Sequence, residues 1–166
     1  VRQSNLNQHL ANALFFQHRA LRSEPQIVAQ NRLQQSGLWR LSISGDLPIV
    51  LVSISDLSQL KLVQELLKAH EYLRNRCVPF DLVIVNEHGD GYLQNLATGV
   101  DQLIRSSYPP PPLETKGGVF VRTLKQISPE EYLLLRTVAR AAFVGEKGGL
   151  ETQLELPGES QEGKLN

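Results

Sequence analysis

The chain has 166 residues, 41% of them hydrophobic, which is enough for one sizeable core, and its 17 basic and 17 acidic residues cancel. That balance removes the electrostatic ground for nucleic acid or an anionic membrane as partner, and no run approaches the ~20 apolar residues of a membrane span. A single cysteine, Cys77, excludes an intrachain disulfide or a cysteine-rich zinc site and suits a reducing compartment.

Asn5 to about Leu21 is predicted helical, because Leu6, Leu10, Ala13, Leu14 and Leu21 make one apolar stripe. A second short helix is expected from Ser23-Glu24-Pro25 to about Gln34, with the serine as cap and the proline in the first turn. Together they form a helical hairpin over residues 1–35. Ser36 to Asp46 lacks a helical period and reads as an ordered loop, and Trp39, the sole tryptophan, reads as its packing anchor rather than as a sugar-stacking platform. Leu47 to Ile54 is strand one, with Pro48 tolerated at its start.

Ser55-Asp56 is predicted to cap a helix reaching about Arg76, whose Leu57, Leu60, Val63, Leu67 and Leu73 share a face with His70. A lone histidine there is expected to be a satisfied core residue. Pro79 ends the helix, and Phe80 to Val85 is strand two. Both strand runs are nearly continuous Ile/Val/Leu, the habit of parallel strands covered on both faces. Asn86 to Gly91 makes the following turn, and Tyr92 to about Ser106 a helix with Leu93, Leu96, Val100, Leu103 and Ile104 inward. Pro109 to Pro112 is an extended spacer, and Val119 to Thr123 is strand three. Ser128-Pro129-Glu130-Glu131 is a strong helix start, predicted to run to about Val144. The polar stretch from Pro157 to Asn166 is expected to be flexible.

This order implies a three-layer, Rossmann-like α/β domain over residues 36–154 with a small, mainly parallel three-stranded sheet, a helical hairpin before it and a tail at 155–166. Ligands of such sheets bind beyond the C-terminal strand ends where the strand order reverses. An order of 2-1-3 would open a crevice there, whereas 1-2-3 would favour a scaffold. The ends carry Ser53, Ser55, Asn86 and Glu87, the candidate ligand-binding residues.

No residue stands out as catalytic. A dinucleotide site needs a glycine-rich turn after strand one, but Ile54 and Asp56 supply bulk and negative charge there instead, so no cofactor is expected. Glu87, His88 and Asp90 share one turn and do not close a coordination sphere, so no metal is expected either. Asp46 and Glu87 lie at opposite ends of parallel strands, which counts against a glycosidase pair. Ser44-Gly45-Asp46 reads as a tight turn, with Asp46 bonding nearby backbone N–H groups.

Four longer words carry a resemblance: Gln35-Ser36-Gly37-Leu38-Trp39, Ile43-Ser44-Gly45-Asp46-Leu47-Pro48-Ile49-Val50-Leu51-Val52, Leu66-Leu67-Lys68-Ala69-His70-Glu71-Tyr72 and Phe80-Asp81-Leu82-Val83-Ile84-Val85-Asn86-Glu87. Fainter echoes run through Gly118-Val119-Phe120-Val121 and Val138-Ala139-Arg140-Ala141-Ala142. From about Asn31 to Gln153 the chain resembles the cyclic β-1,2-glucan synthases, large bacterial membrane enzymes, in a region ahead of their phosphorylase-like C-terminal part. The resemblance implies a parent that polymerises glucose from a nucleotide sugar and processes the glucan, with catalytic carboxylates outside this stretch. It implies an accessory or connecting domain on the cytoplasmic side of the inner membrane, with neighbouring domains as partners. The alternative is a carbohydrate-binding module for glucan at the sheet edge; an independent small enzyme is the weakest reading. Val1 at the first position and the absence of methionine add the expectation of a segment from a longer protein.

Overall fold

The computed structural model describes residues 6–12, 22–31, 33–87 and 93–155. Residues 6–12 are helical; then come α1 (Pro25–Gln30), α2 (Ser36–Trp39), β1 (Ile49–Ile54), a 3-10 turn (Leu57–Gln59), α3 (Leu60–Asn75), β2 (Asp81–Asn86) and α4 (Leu93–Ser106). The order continues with β3 (Val119–Thr123), α5 (Pro129–Val138), β4 (Ala141–Val144), a second 3-10 turn (Gly145–Lys147) and α6 (Leu150–Glu155). The turn at 88–91 and the tail from Pro157 lie outside the described residues.

The four strands form one parallel sheet in the order β3-β2-β1-β4. Ile49 pairs with Asp81, Ile54 with Asn86, and Val50 with Ala141. Every residue of β1 and β2 is buried, as expected of central strands covered on both sides. Because side chains alternate across a strand, Val50, Val52, Ile54, Leu82, Ile84 and Phe143 meet Leu62, Val63 and Leu66 of α3, Leu96 and Val100 of α4, and Leu150 of α6. Ile49, Leu51, Val83, Val85 and Phe120 face the other way, onto Leu134 and Leu135 of α5 and onto Leu38, Leu41 and Ile43. Each such side chain contributes about 1.5–3 kcal/mol on burial.

The sheet has four strands rather than three. The helix predicted to reach Val144 stops at Val138, where Ala139 turns extended (ψ 130°) and the Arg140 N–H donates to Ile49 O at 2.8 Å. The alanine-rich run that favours a helix locally is drawn instead into the ladder beside β1, with Ala141 and Phe143 buried. Its arrival changes the topology: the first three strands lie consecutively, as in the scaffold order, yet β4 on the far side of β1 creates a reversal between β1 and β4.

Smaller corrections follow from local chemistry. The predicted loop at 36–46 opens with α2, stabilised where Leu38 is buried against α5. Glu24, not Ser23, stands at the N-cap of α1, with Pro25 at the first position. Residues Leu6 and Leu10 join the α3 side of the core, whereas α1 packs on α5 across the sheet, so the two pieces of the predicted hairpin lie against opposite faces. By contrast, Ser128 forms the full capping box with Glu131. Asp56 caps as expected, its carboxylate accepting from the Ser58 N–H at 3.0 Å, but it starts the 3-10 turn that precedes α3.

Candidate functional site

Two ends of the sheet carry polar chemistry. At the C-terminal end, Ser53 Oγ lies 2.7 Å from Tyr132 Oη, and the Tyr132 hydroxyl donates to Glu87 Oε1. A phenol has one proton; since the carboxylate takes it, Ser53 is the donor in its own bond, and the relay runs Ser53 to Tyr132 to Glu87. Burial first, and then the bond to Glu87, pushes the Tyr132 hydroxyl far above its ordinary range, so it stays a donor. The Glu87 backbone N–H is fixed by Ile54 O at 2.7 Å. Ser55 stands apart: its N–H donates to Gln59 Oε1 at 2.8 Å. Asn86 is buried in β2, its C=O accepting from the Leu124 N–H at 3.3 Å. Of the four sequence candidates, the structure therefore joins Ser53 and Glu87 through Tyr132, turns Ser55 toward Gln59 and buries Asn86. Tyr132 was missed, although it lies three residues before the buried Leu135, a spacing that places both on one helical face. His88 and Asp90 lie outside the described residues.

At the same end of the sheet, but lined by none of the relay residues nor by Ser55 or Asn86, the β1–β4 reversal opens a cleft of about 490 Å³ between the Leu57–Gln59 turn with α3 and the loop after β4. Ser58, Gln59, Lys61 and Glu65 line one wall, and Gly145, Glu146, Gly148 and Thr152 the other. Gly145 packs against this wall: a Cβ there would fall 2.1 Å from Gln59 Oε1, so a larger residue would displace the Gln59 side chain. Gln153 pins the loop: its amide donates to Val144 O (2.9 Å) and Gly148 O (2.7 Å), while its Oε1 accepts from the Val144 N–H (3.1 Å).

The N-terminal end is built around the Gly117 peptide. His70 Nε2 is 3.0 Å from Gly117 O and 3.1 Å from Phe80 O, and the Gly117 N–H donates to Asp81 Oδ1 at 2.7 Å. Both partners of Nε2 are carbonyls, so that nitrogen carries the proton. His70 is thus the core residue expected of it, but only in part satisfied: its Nδ1 and Asp81 Oδ2 are buried without a hydrogen-bond partner among the described residues. Burial lowers the His70 pKa and raises that of Asp81.

Above this clamp, Gln35 Nε2 (3.2 Å) and the Trp39 indole N–H (3.3 Å) both donate to Ser44 O. Trp39 is 65% exposed, so it is not a buried anchor of its loop. Asp46 departs from its predicted role too: its backbone N–H donates to Ser44 Oγ at 3.2 Å, and its carboxylate accepts from Lys116 Nζ at 3.2 Å. A second cleft, of about 360 Å³, lies between Gln35, Asp46, Pro48 and Arg140. Asp46 precedes β1 and Glu87 follows β2, so a six-residue strand separates them by about 20 Å, beyond the spacing of a glycosidase pair.

No family model matches the chain. Over 154 residues, 89% of this chain, it is 32% identical to cyclic beta-(1,2)-glucan synthase NdvB of Rhizobium meliloti (strain 1021). The chain is thus similar to a segment of a cyclic β-(1,2)-glucan synthase. The resemblance carried by the four sequence words is shown by this match. The chain spans about 5% of the length of NdvB. No helix among the described residues is long and apolar enough to cross a membrane.

Proposed function

We propose that this chain is a non-catalytic accessory and connecting domain of a cyclic β-1,2-glucan synthase-like protein, whose partners are neighbouring domains of the same parent on the cytoplasmic side of a bacterial inner membrane. Similarity to NdvB over most of the chain supports the glycosyltransferase-related context. The observation that carries the accessory reading is the closed relay at the C-terminal edge. Ser53 and Glu87, the hydroxyl and carboxylate best placed to act on a substrate, are both held by Tyr132. Asp46, the carboxylate that would pair with Glu87 in a glycosidase, sits at the far end of the sheet. The β3-β2-β1-β4 order with helices on both faces supports a Rossmann-like reading of the fold.

The test is turnover. The purified chain, given UDP-glucose or glucose 1-phosphate, is expected to release neither UDP nor phosphate; release that disappears in Glu87→Gln would overturn the accessory reading.

A second reading, a carbohydrate-binding module at the C-terminal edge, draws support from the cleft at the β1–β4 reversal. Titration with linear and cyclic β-1,2-glucans is then expected to shift the amide resonances of Ser53, Ser55, Asn86 and Glu87. Glucan affinity unchanged by Asn86→Ala and Glu87→Ala would remove that edge as the site.

A further inference from the structure

We propose that the N-terminal edge of the sheet carries a saccharide-binding subsite in which the Trp39 ring stacks on the apolar face of a pyranose while Asp46 and Arg140 hydrogen-bond its hydroxyl edge. This subsite lies at the opposite end of the sheet from the edge considered above and does not depend on it. Only the choice of a β-1,2-linked probe rests on the proposed function.

Trp39 is the sole tryptophan of the chain, and it leaves 65% of its surface in solvent. A large aromatic face is costly to leave in water. The ring is also held in place: its N–H bonds Ser44 O, the carbonyl that Gln35 bonds from one helical turn away. The result is a flat surface of fixed orientation, whose ordering has been accomplished before any ligand arrives. Gln35, Gly45 and Asp46 line the 360 Å³ cleft, and the ring is bonded to the same Ser44 carbonyl as Gln35, which sets it next to that wall although it does not line the cleft itself. That volume lies within the roughly 300–1,000 Å³ of small-molecule sites.

The polar groups in the cleft fit a neutral polyol. Arg140 lines it from the residue just before β4, where its backbone N–H is fixed on Ile49 O. Its planar fork matches a pair of adjacent oxygens. Asp46 is exposed and holds Lys116 with one oxygen, which leaves acceptor capacity for hydroxyl protons. With Lys116 on Asp46 and Arg140 beside it, the cleft region carries one net positive charge, so it is the apolar ring face and not the charge that favours a sugar over a phosphate. A pyranose meets all three demands: an apolar C–H face for the ring, vicinal hydroxyls for the fork, and hydroxyl protons for the carboxylate.

Because Trp39 is the sole tryptophan, intrinsic emission of the chain reads this subsite directly. Titration with the β-1,2-linked disaccharide of glucose is expected to change that emission saturably in the millimolar range. By calorimetry, Trp39→Ala and Arg140→Ala are each expected to weaken binding about tenfold, and Trp39→Phe, which keeps a ring, about threefold. Circular dichroism checks that each variant is folded; should Trp39→Ala not fold, Trp39→Phe and Arg140→Ala decide. Cellobiose and maltose serve as linkage controls: Trp39-dependent binding of those alone would keep the subsite and break its link to β-1,2-glucan. Emission unmoved by all three sugars in the tens of millimolar range overturns the proposal. So does binding that survives Trp39→Ala and is lost in Glu87→Ala, which would place the sugar at the other edge.

Discussion

The two ends of this sheet treat polar groups differently. At the C-terminal end, a hydroxyl, a phenol and a carboxylate satisfy one another in a line, and the main chain at Glu87 is bonded as well. At the N-terminal end, the His70–Gly117–Asp81 clamp leaves one nitrogen and one oxygen buried without a hydrogen-bond partner among the described residues, and above it the Trp39 ring is exposed and Arg140 lines a cleft. The C-terminal relay lies where an open parallel sheet ordinarily puts its ligands, yet its groups already bond one another. Strand-end position is thus a poor guide to function unless the hydrogen bonds of each group are followed to their ends.

His70→Ala should give the largest effect. It removes the donor shared by two buried carbonyls and opens space beside Phe80, so a loss of about 3 kcal/mol is expected in urea unfolding. Tyr132→Phe should cost about 1 kcal/mol, because Glu87 is only half-buried and can turn to water. If the two losses came out equal, the contrast between the ends would fail.

The pH dependence should be smaller and comes from the N-terminal end. Burial lowers the His70 pKa below 6.5, so stability is complete above pH 6.5 and declines as pH falls from there toward the folded value. The urea midpoint should drop between pH 7.5 and 5 by that route, and His70→Gln should flatten the slope over this range. Asp81 has the opposite sign: its pKa is raised above 3.8, so its favourable contribution is present below 3.8 and is lost as pH rises through the folded value. Asp81→Asn, which keeps an acceptor for the Gly117 N–H without a buried charge, should leave stability at pH 7 unchanged or higher by up to about 1 kcal/mol. Least of all, Trp39→Phe should change stability by less than about 0.5 kcal/mol, since the ring is exposed. A larger loss would mean that the indole is structural.

Much of the central sheet could be read from residues alone. Val50 to Val52 and Leu82 to Val85 are too uniformly apolar for anything but strands buried on both faces, and Ser128 with Glu131 is a complete cap in four residues. The fourth strand could not be, because Ala139 to Ala142 prefers helix in isolation and is overruled only by the ladder that Ile49 offers. The Ser53–Tyr132–Glu87 relay was half visible. Two members were singled out as strand ends, but the third is 45 residues from Glu87, and no local spacing links them. The exposure of Trp39 was hidden for a different reason: a lone tryptophan ordinarily lies inside, and only the tertiary position of α2 puts it outside.

The hold of Gln153 on Val144 bears on the chain's behaviour in company. β4 is an edge of the sheet and only four residues long, and the margin of such a strand is a template on which a passing chain can dock. One glutamine amide occupies both the N–H and the C=O of its last residue, imitating the peptide group of a neighbouring strand. One side chain thereby closes the last residue of this border to a strand from another copy. Replacing Gln153 with leucine would preserve bulk yet leave that backbone pair open to strangers.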